Sequence, residues 1–146
     1  MPGPDYIPDN PPLRILIKLR REKYNRTQNM YCSFMKEIVY FNSVGFFHAT
    51  HDGRGKIRQE ADARMRLNLL PCINEVIATT SQFGSPARVR PKGDPKNKTG
   101  KEIVEYELIH TFNARKKVSV ILRRVGNGRL QYYSVRYASP KPKQTP

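Results

Sequence analysis

The residues of this chain that could do chemistry are three histidines, His48, His51 and His110, set in a large surplus of lysine and arginine. Carboxylates are few and scattered, and a hard divalent cation wants several oxygen ligands. No metal site and no cofactor are therefore expected. Cys32 and Cys72 lack the paired spacing of a zinc site and read as core thiols. A histidine among cations suffices for one reaction on RNA. The 2′-hydroxyl attacks the neighbouring phosphate once a group takes its proton and cations stabilise the developing negative charge.

His48 is the leading candidate for that proton transfer. It follows Gly45-Phe46-Phe47 and precedes the loop His51-Asp-Gly-Arg-Gly-Lys56, which leads into Arg58. If a helix starts at Arg58, its backbone amides together with Arg54, Lys56 and Arg58 would form a phosphate site. Arg64 and Arg66 follow on the same helix. Further on, Arg123 and Arg124 stand side by side on an expected strand, where alternation lets only one of them face a given site. Tyr132 and Tyr133 could stack on splayed bases, and Ser134 follows them. Each has a plainer reading: a satisfied core histidine, solvated helix arginines, buried strand tyrosines, an unremarkable strand serine.

Charge favours the first set of readings. Lysine and arginine total 27 against 12 acidic residues, a formal net charge of +15 with a pI near 10.2. Solubility of a small domain needs a net charge of only about 2 to 8. A domain this basic attracts polyanions, because each phosphate it neutralises releases a condensed counterion. RNA is the expected partner. No stretch approaches the roughly 18 apolar residues of a membrane span, so no membrane partner is expected. The start lacks the layout of a secretory signal, which suggests a cytosolic protein or a fragment of a longer one.

The 146 residues suit one domain. Residues 1–12, rich in proline, read as a disordered linker, and residues 139–146 as a basic disordered tail, leaving 13–138 as the folded unit. Residues 13–36 read as mostly helical and 37–41 as a short strand or the end of a helix. Ala61, Met65, Leu69, Ile73, Val76 and Ile77 recur at helical spacing. Pro71 divides them into a helix over about 58–69 and another over 71–79. Residues 81–101 carry the Gly, Pro, Asn and Asp of a long, mobile solvated loop. Strands are expected at 103–112, 117–125 and 129–137. The last two form a hairpin through Gly126-Asn127-Gly128, which tolerates positive φ. The result is an α+β fold, N-terminal helices packed on one face of a C-terminal antiparallel meander.

Taken in order, Gly45-x-x-His48, the basic loop, Arg66-Leu-Asn-Leu-Leu-Pro71 and the run from Val118 to Val135 resemble the BECR-fold nuclease domains. That group takes in barnase, EndoU, the tRNase colicins and RelE, and its members occur at the ends of contact-dependent or phage-associated polymorphic toxins. The likeness covers roughly residues 38–138. It implies a BECR-like fold, a catalytic role for His48, phosphate binding by Arg58 and Arg66, and Arg123 and Ser134 facing the cleft from the sheet.

The resulting expectation is a metal-independent endoribonuclease toxin that cleaves tRNA by transesterification, leaving a 2′,3′-cyclic phosphate. His48 would act as base or acid, Arg123 as the transition-state cation and Ser134 as an orienting donor. Arg54, Lys56, Arg58, Arg66, Tyr132 and Tyr133 would bind RNA. Such a toxin would act in a bacterial cytoplasm, delivered as the C-terminal part of a larger secreted or phage protein, and would be held in check by an acidic immunity or antitoxin protein. The alternative is a non-catalytic basic module that binds RNA or other single-stranded nucleic acid. A third class is a protein-interaction domain whose charge serves an acidic partner.

Overall fold

A computed structural model describes residues 10–138, so the tail read over 139–146 and most of the linker read over 1–12 lie outside the described residues. The chain is α+β. The first helix, α1 (Leu13–Asn25), places Leu16 and Tyr24 in the core. A hairpin of β1 (Met30–Cys32) and β2 (Glu37–Tyr40) follows, turning through Lys36 at φ 57°. Next come α2 (Ser43–Thr50), α3 (Glu60–Leu69), a 3-10 turn over Leu70–Cys72, and α4 (Ile73–Thr79). Four strands close the chain: β3 (Phe83–Arg90), β4 (Ile103–Asn113), β5 (Lys116–Val125) and β6 (Leu130–Tyr137).

The six strands form one sheet in the order β1-β2-β6-β5-β4-β3. The expected meander is its centre, β4-β5-β6, with the hairpin turning through Gly126 at φ 56°. The sheet is mixed rather than purely antiparallel, because β2 pairs in parallel with β6. A parallel pair needs a long crossover connection, and here it runs through the helices and through β3, β4 and β5. Leu67, Ile73, Val76 and Ile77 of the helices join Val118, Val120, Leu122, Tyr132 and Val135 of the sheet in one buried cluster. The helices thus cover one face. Both cysteines are buried free thiols. Among the described residues no helix is long and apolar enough to cross a membrane.

Three sequence expectations need correction. Residues 26–36 are not helical, and β1 forms there. Residues 81–101 are not one loop, because 83–90 form the edge strand β3. That strand is exposed along almost its whole length, so no alternation of apolar residues marks it, and Gly84 and Pro86 fall at its two register shifts, where an edge tolerates them. The remaining loop is organised by buried Asn97, which donates to the Pro91 carbonyl at 3.1 Å and the Lys101 carbonyl at 2.6 Å. Finally, α3 begins at Glu60 and not at Arg58, with Glu60 and Asp62 in its first turn, where carboxylates suit the positive end of the helix.

Candidate active site cleft

The site forms where β2 leaves the sheet. Its parallel pairing with β6 consists of Val39 with Leu130 and Tyr40 with Gln131. Beyond that point the chain turns at Asn42, whose side chain accepts from the Val44 amide at 3.1 Å, and runs as α2 beside β6. Gly45 permits the close approach: a Cβ there would sit 2.5 Å from Tyr132 Cδ2 and 2.8 Å from the Tyr132 carbonyl oxygen. One helical turn later His48 comes to Tyr133, ring centroids 4.4 Å apart.

A bulge in β6 aims the next residues. Ile121 pairs with Ser134 but Leu122 pairs with Tyr132, so Tyr133 is an extra residue on its strand. Tyr132 stays in the core, 1% exposed, while Tyr133 and Ser134 both line a cleft of about 250 Å³ with His48. Strict alternation would have sent Tyr133 and Ser134 to opposite faces.

A continuous chain of hydrogen bonds, running through Arg58 and Asp62, links His48, Arg66 and Ser134 of the cleft lining. Arg58, its side chain 9% exposed, donates from Nε to the His48 carbonyl at 2.9 Å and from Nη2 to His48 Nδ1 at 3.2 Å. Its Nη1 donates to Asp62 Oδ2 at 3.0 Å. Asp62 Oδ1 accepts from Arg66 Nε at 2.9 Å. Arg66 Nη1 then donates to Ser134 Oγ at 2.9 Å and to the Val135 carbonyl at 3.2 Å, meeting the part of β6 that β2 has left. Ser134 accepts in this bond, so its own hydroxyl proton is available to a further partner.

These surroundings decide the state of His48. Burial lowers its pKa first, and Arg58, Arg66 and Arg123 lower it further, to about 4. The imidazole is therefore neutral near pH 7. Guanidinium only donates, so Nδ1 accepts from Arg58 and the ring proton sits on Nε2. Arg123 lies over the Tyr133 ring at 4.7 Å, with its Nε buried and without a hydrogen-bond partner.

The opposite wall comes from β3 and β4. Ser85, Arg88, Arg90, Glu105 and Glu107 line it, and Ile121 of β5 and Arg136 of β6 also line the cleft. Glu107 accepts from Ser119 Oγ at 2.6 Å and from Arg136 at 3.4 Å. Although burial opposes it, those bonds hold its carboxyl below the ordinary range, so it is ionised. Among the described residues no three or more His, Cys, Asp or Glu side chains gather where they could hold a metal ion.

The structure brings together His48, Arg58, Arg66, Tyr133 and Ser134, with Arg123 beside them. It does not bring in the rest. Tyr132 is a core residue packed on Tyr24 and Phe41, so it cannot stack on a base. Arg54 and Lys56 are exposed, and of their loop only Gly53 lines the cleft. The phosphate cradle expected from backbone amides of a helix starting at Arg58 does not form, because α3 begins at Glu60 with Glu60 and Asp62 in its first turn, and in the loop before it Asp52 Oδ1 accepts from the amides of Arg54 at 2.8 Å and Lys56 at 3.0 Å. His51 instead stacks on Phe47, centroids 4.0 Å apart, and His110 meets Thr79 Oγ1 at 3.1 Å.

Sequence reading missed Asp62, Glu105, Glu107 and Arg136. Asp62 had a legible signal, since it lies four residues from both Arg58 and Arg66, a spacing that on the helix expected over 58–69 puts all three on one face. The strand residues had none, because they enter through register with β5. Comparison of the chain with protein-family models, with curated proteins and with solved structures yields no match.

Proposed function

We propose that this protein is a metal-independent endoribonuclease acting on RNA, with tRNA the expected substrate. One observation carries the reading: the hydrogen-bonded chain from His48 through Arg58, Asp62 and Arg66 to Ser134 presents both of its ends to a cleft lined by arginines and two carboxylates. A histidine without these partners would be free to turn and would still titrate at about pH 6.5. Here it is oriented and neutral.

In the proposed reaction the 2′-oxygen attacks the adjacent phosphorus and the bond from phosphorus to the 5′-oxygen breaks. The products are a 2′,3′-cyclic phosphate and a 5′-hydroxyl. The proton of the 2′-hydroxyl passes to a cleft carboxylate, Glu105 or Glu107. His48, left open as base or acid by the sequence, offers Nε2–H to the departing 5′-oxygen, which takes its proton from water, and the hydroxide so formed removes the proton that the carboxylate had accepted. Arg66, Arg123 and Arg136 supply positive charge where negative charge develops, and donors fixed in place before reaction do this without reorganising. Ser134 orients a phosphoryl oxygen through its hydroxyl proton.

The resemblance extends the proposal to a toxin domain delivered into a bacterial cytoplasm as the C-terminal part of a larger protein, with an acidic immunity protein as its partner. The +15 charge supports an acidic partner on electrostatic grounds. The test is incubation with total tRNA in the presence of chelator. Discrete fragments ending in a cyclic phosphate are expected, whereas RNA that is retarded but intact would replace this reading with that of a non-catalytic binding module.

A further inference from the structure

On the sheet face away from the helices, the strand register extends the cleft sideways. Tyr40 pairs with Gln131, Gln131 with Arg123, Arg123 with Glu105 and Glu105 with Arg88. Paired residues share a face, so Tyr40 stands in one lateral row with residues of the cleft and its rim. Beyond it, Tyr31 pairs with Ile38, both on that face and 55% and 46% exposed.

Two like units lie along this surface. Arg129 sits over the Tyr40 ring at 4.5 Å, as Arg123 sits over Tyr133 at 4.7 Å. Neighbouring strands lie about 4.8 Å apart and rise about 3.3 Å per residue. The step from Tyr133 to Tyr40 crosses one strand and two residues, roughly 8 Å by the same geometry, comparable to one nucleotide of an extended strand. Aromatic rings and guanidinium planes exposed on a sheet, interleaved with positive charge, bind bases whose faces are free. A duplex keeps those faces stacked and hidden.

We propose that the surface carrying Tyr31, Tyr40 and Arg129 is a base-stacking extension of the cleft, which takes the unpaired nucleotides of an RNA strand next to the phosphate in the cleft. The substrate is thereby a single-stranded segment such as a loop, and not a regular helix. The inference rests on the cleft being an RNA site, and deepens that reading by naming the class of RNA. Apolar exposure alone would also suit a second copy of this chain, but a chain of net charge +15 repels its own copy and attracts a phosphate backbone.

The test uses the full chain and a short fluorescent 2′-O-methyl oligoribonucleotide, which cannot undergo transesterification, with affinity read by anisotropy. Tyr31→Ala and Tyr40→Ala should each weaken binding about 5- to 100-fold, the range of one lost stacked base. Neither should weaken binding of the same backbone without bases. Tyr40→Trp should restore affinity, and the oligomer annealed to its complement should bind less tightly than the single strand. Arg129→Ala, at an exposed position, gives a second variant should a tyrosine change disturb folding, as judged by circular dichroism.

Unchanged affinity in these variants, an equal loss for the backbone without bases, or a dimer that Ile38→Glu dissociates while RNA affinity stays intact would overturn the proposal. Wild-type cleavage of tRNA separates the two readings. If the wild type cleaves and the variants bind normally, the extension alone falls. If the wild type does not cleave but the variants lose base-dependent affinity, the extension stands and the ribonuclease falls.

Discussion

Arg58 Nη2 donates to His48 Nδ1 at 3.2 Å, and this contact places the proton of the neutral imidazole on Nε2. A protonated ring would turn a second N–H toward the guanidinium, an arrangement of like charges with no acceptor between them. With burial as the larger cause, the His48 pKa lies at about 4, against an ordinary value near 6.5.

That difference predicts a pH dependence of stability. Between the two values the unfolded chain binds a proton at this residue and the folded chain does not, so stability should fall as pH drops from about 6.5 toward 4. Urea midpoints of wild type and His48→Gln, followed across that window, isolate the contribution from the other acids. Parallel curves would show that His48 titrates normally.

A phosphate in the cleft should move the same pKa upward, because its charge opposes the arginines that hold the value down. Histidine NMR titration with and without a 2′-O-methyl dinucleotide reads this directly. A His48 pKa that ignores the ligand would place the phosphate elsewhere.

His48→Ala should reduce cleavage of tRNA by roughly 10²- to 10³-fold, the usual contribution of one positioned hydrogen-bond donor facing developing charge. RNA affinity should fall only slightly, since it rests on many cations. Arg123→Ala should behave in the same way. Single-turnover rates at saturating enzyme separate the two effects, and normal rates in a folded His48→Ala protein would return this residue to a structural role.

RNA affinity itself should fall by orders of magnitude between about 50 and 200 mM salt if several phosphates are contacted. Titrations of the 2′-O-methyl oligomer at a series of salt concentrations give the slope. A flat response would remove the electrostatic premise drawn from the +15 charge.

Gly45→Val should destabilise the fold by about 1–3 kcal/mol through overpacking, because its Cβ would lie 2.5 Å from Tyr132 Cδ2. Thermal denaturation measures this. Whatever folded protein remains should cleave more slowly, since displaced α2 takes His48 with it. Unchanged stability would mean that α2 does not depend on this close approach to β6.

By itself the sequence determined the α+β class, the β4-β5-β6 meander and the basic character of the surface. Those features are written locally, in strand runs bounded by Gly126-Asn127-Gly128 and in charge that any fold must carry outward. His48, Arg58 and Arg66 were legible because a glycine-aromatic segment, a loop and a helix keep them close along the chain. Tertiary structure alone decided which strand tyrosine is usable. Tyr132 and Tyr133 differ by one residue, and a bulge set by pairing with β5 buries the first and turns the second toward His48. It also decided that Asp52 occupies the loop amides, that β3 forms from a segment without apolar alternation, and that Glu105, Glu107, Arg136 and Tyr40 share a face with Arg123. Each of these depends on register between strands distant in sequence, and one residue of slip would send a side chain to the other face.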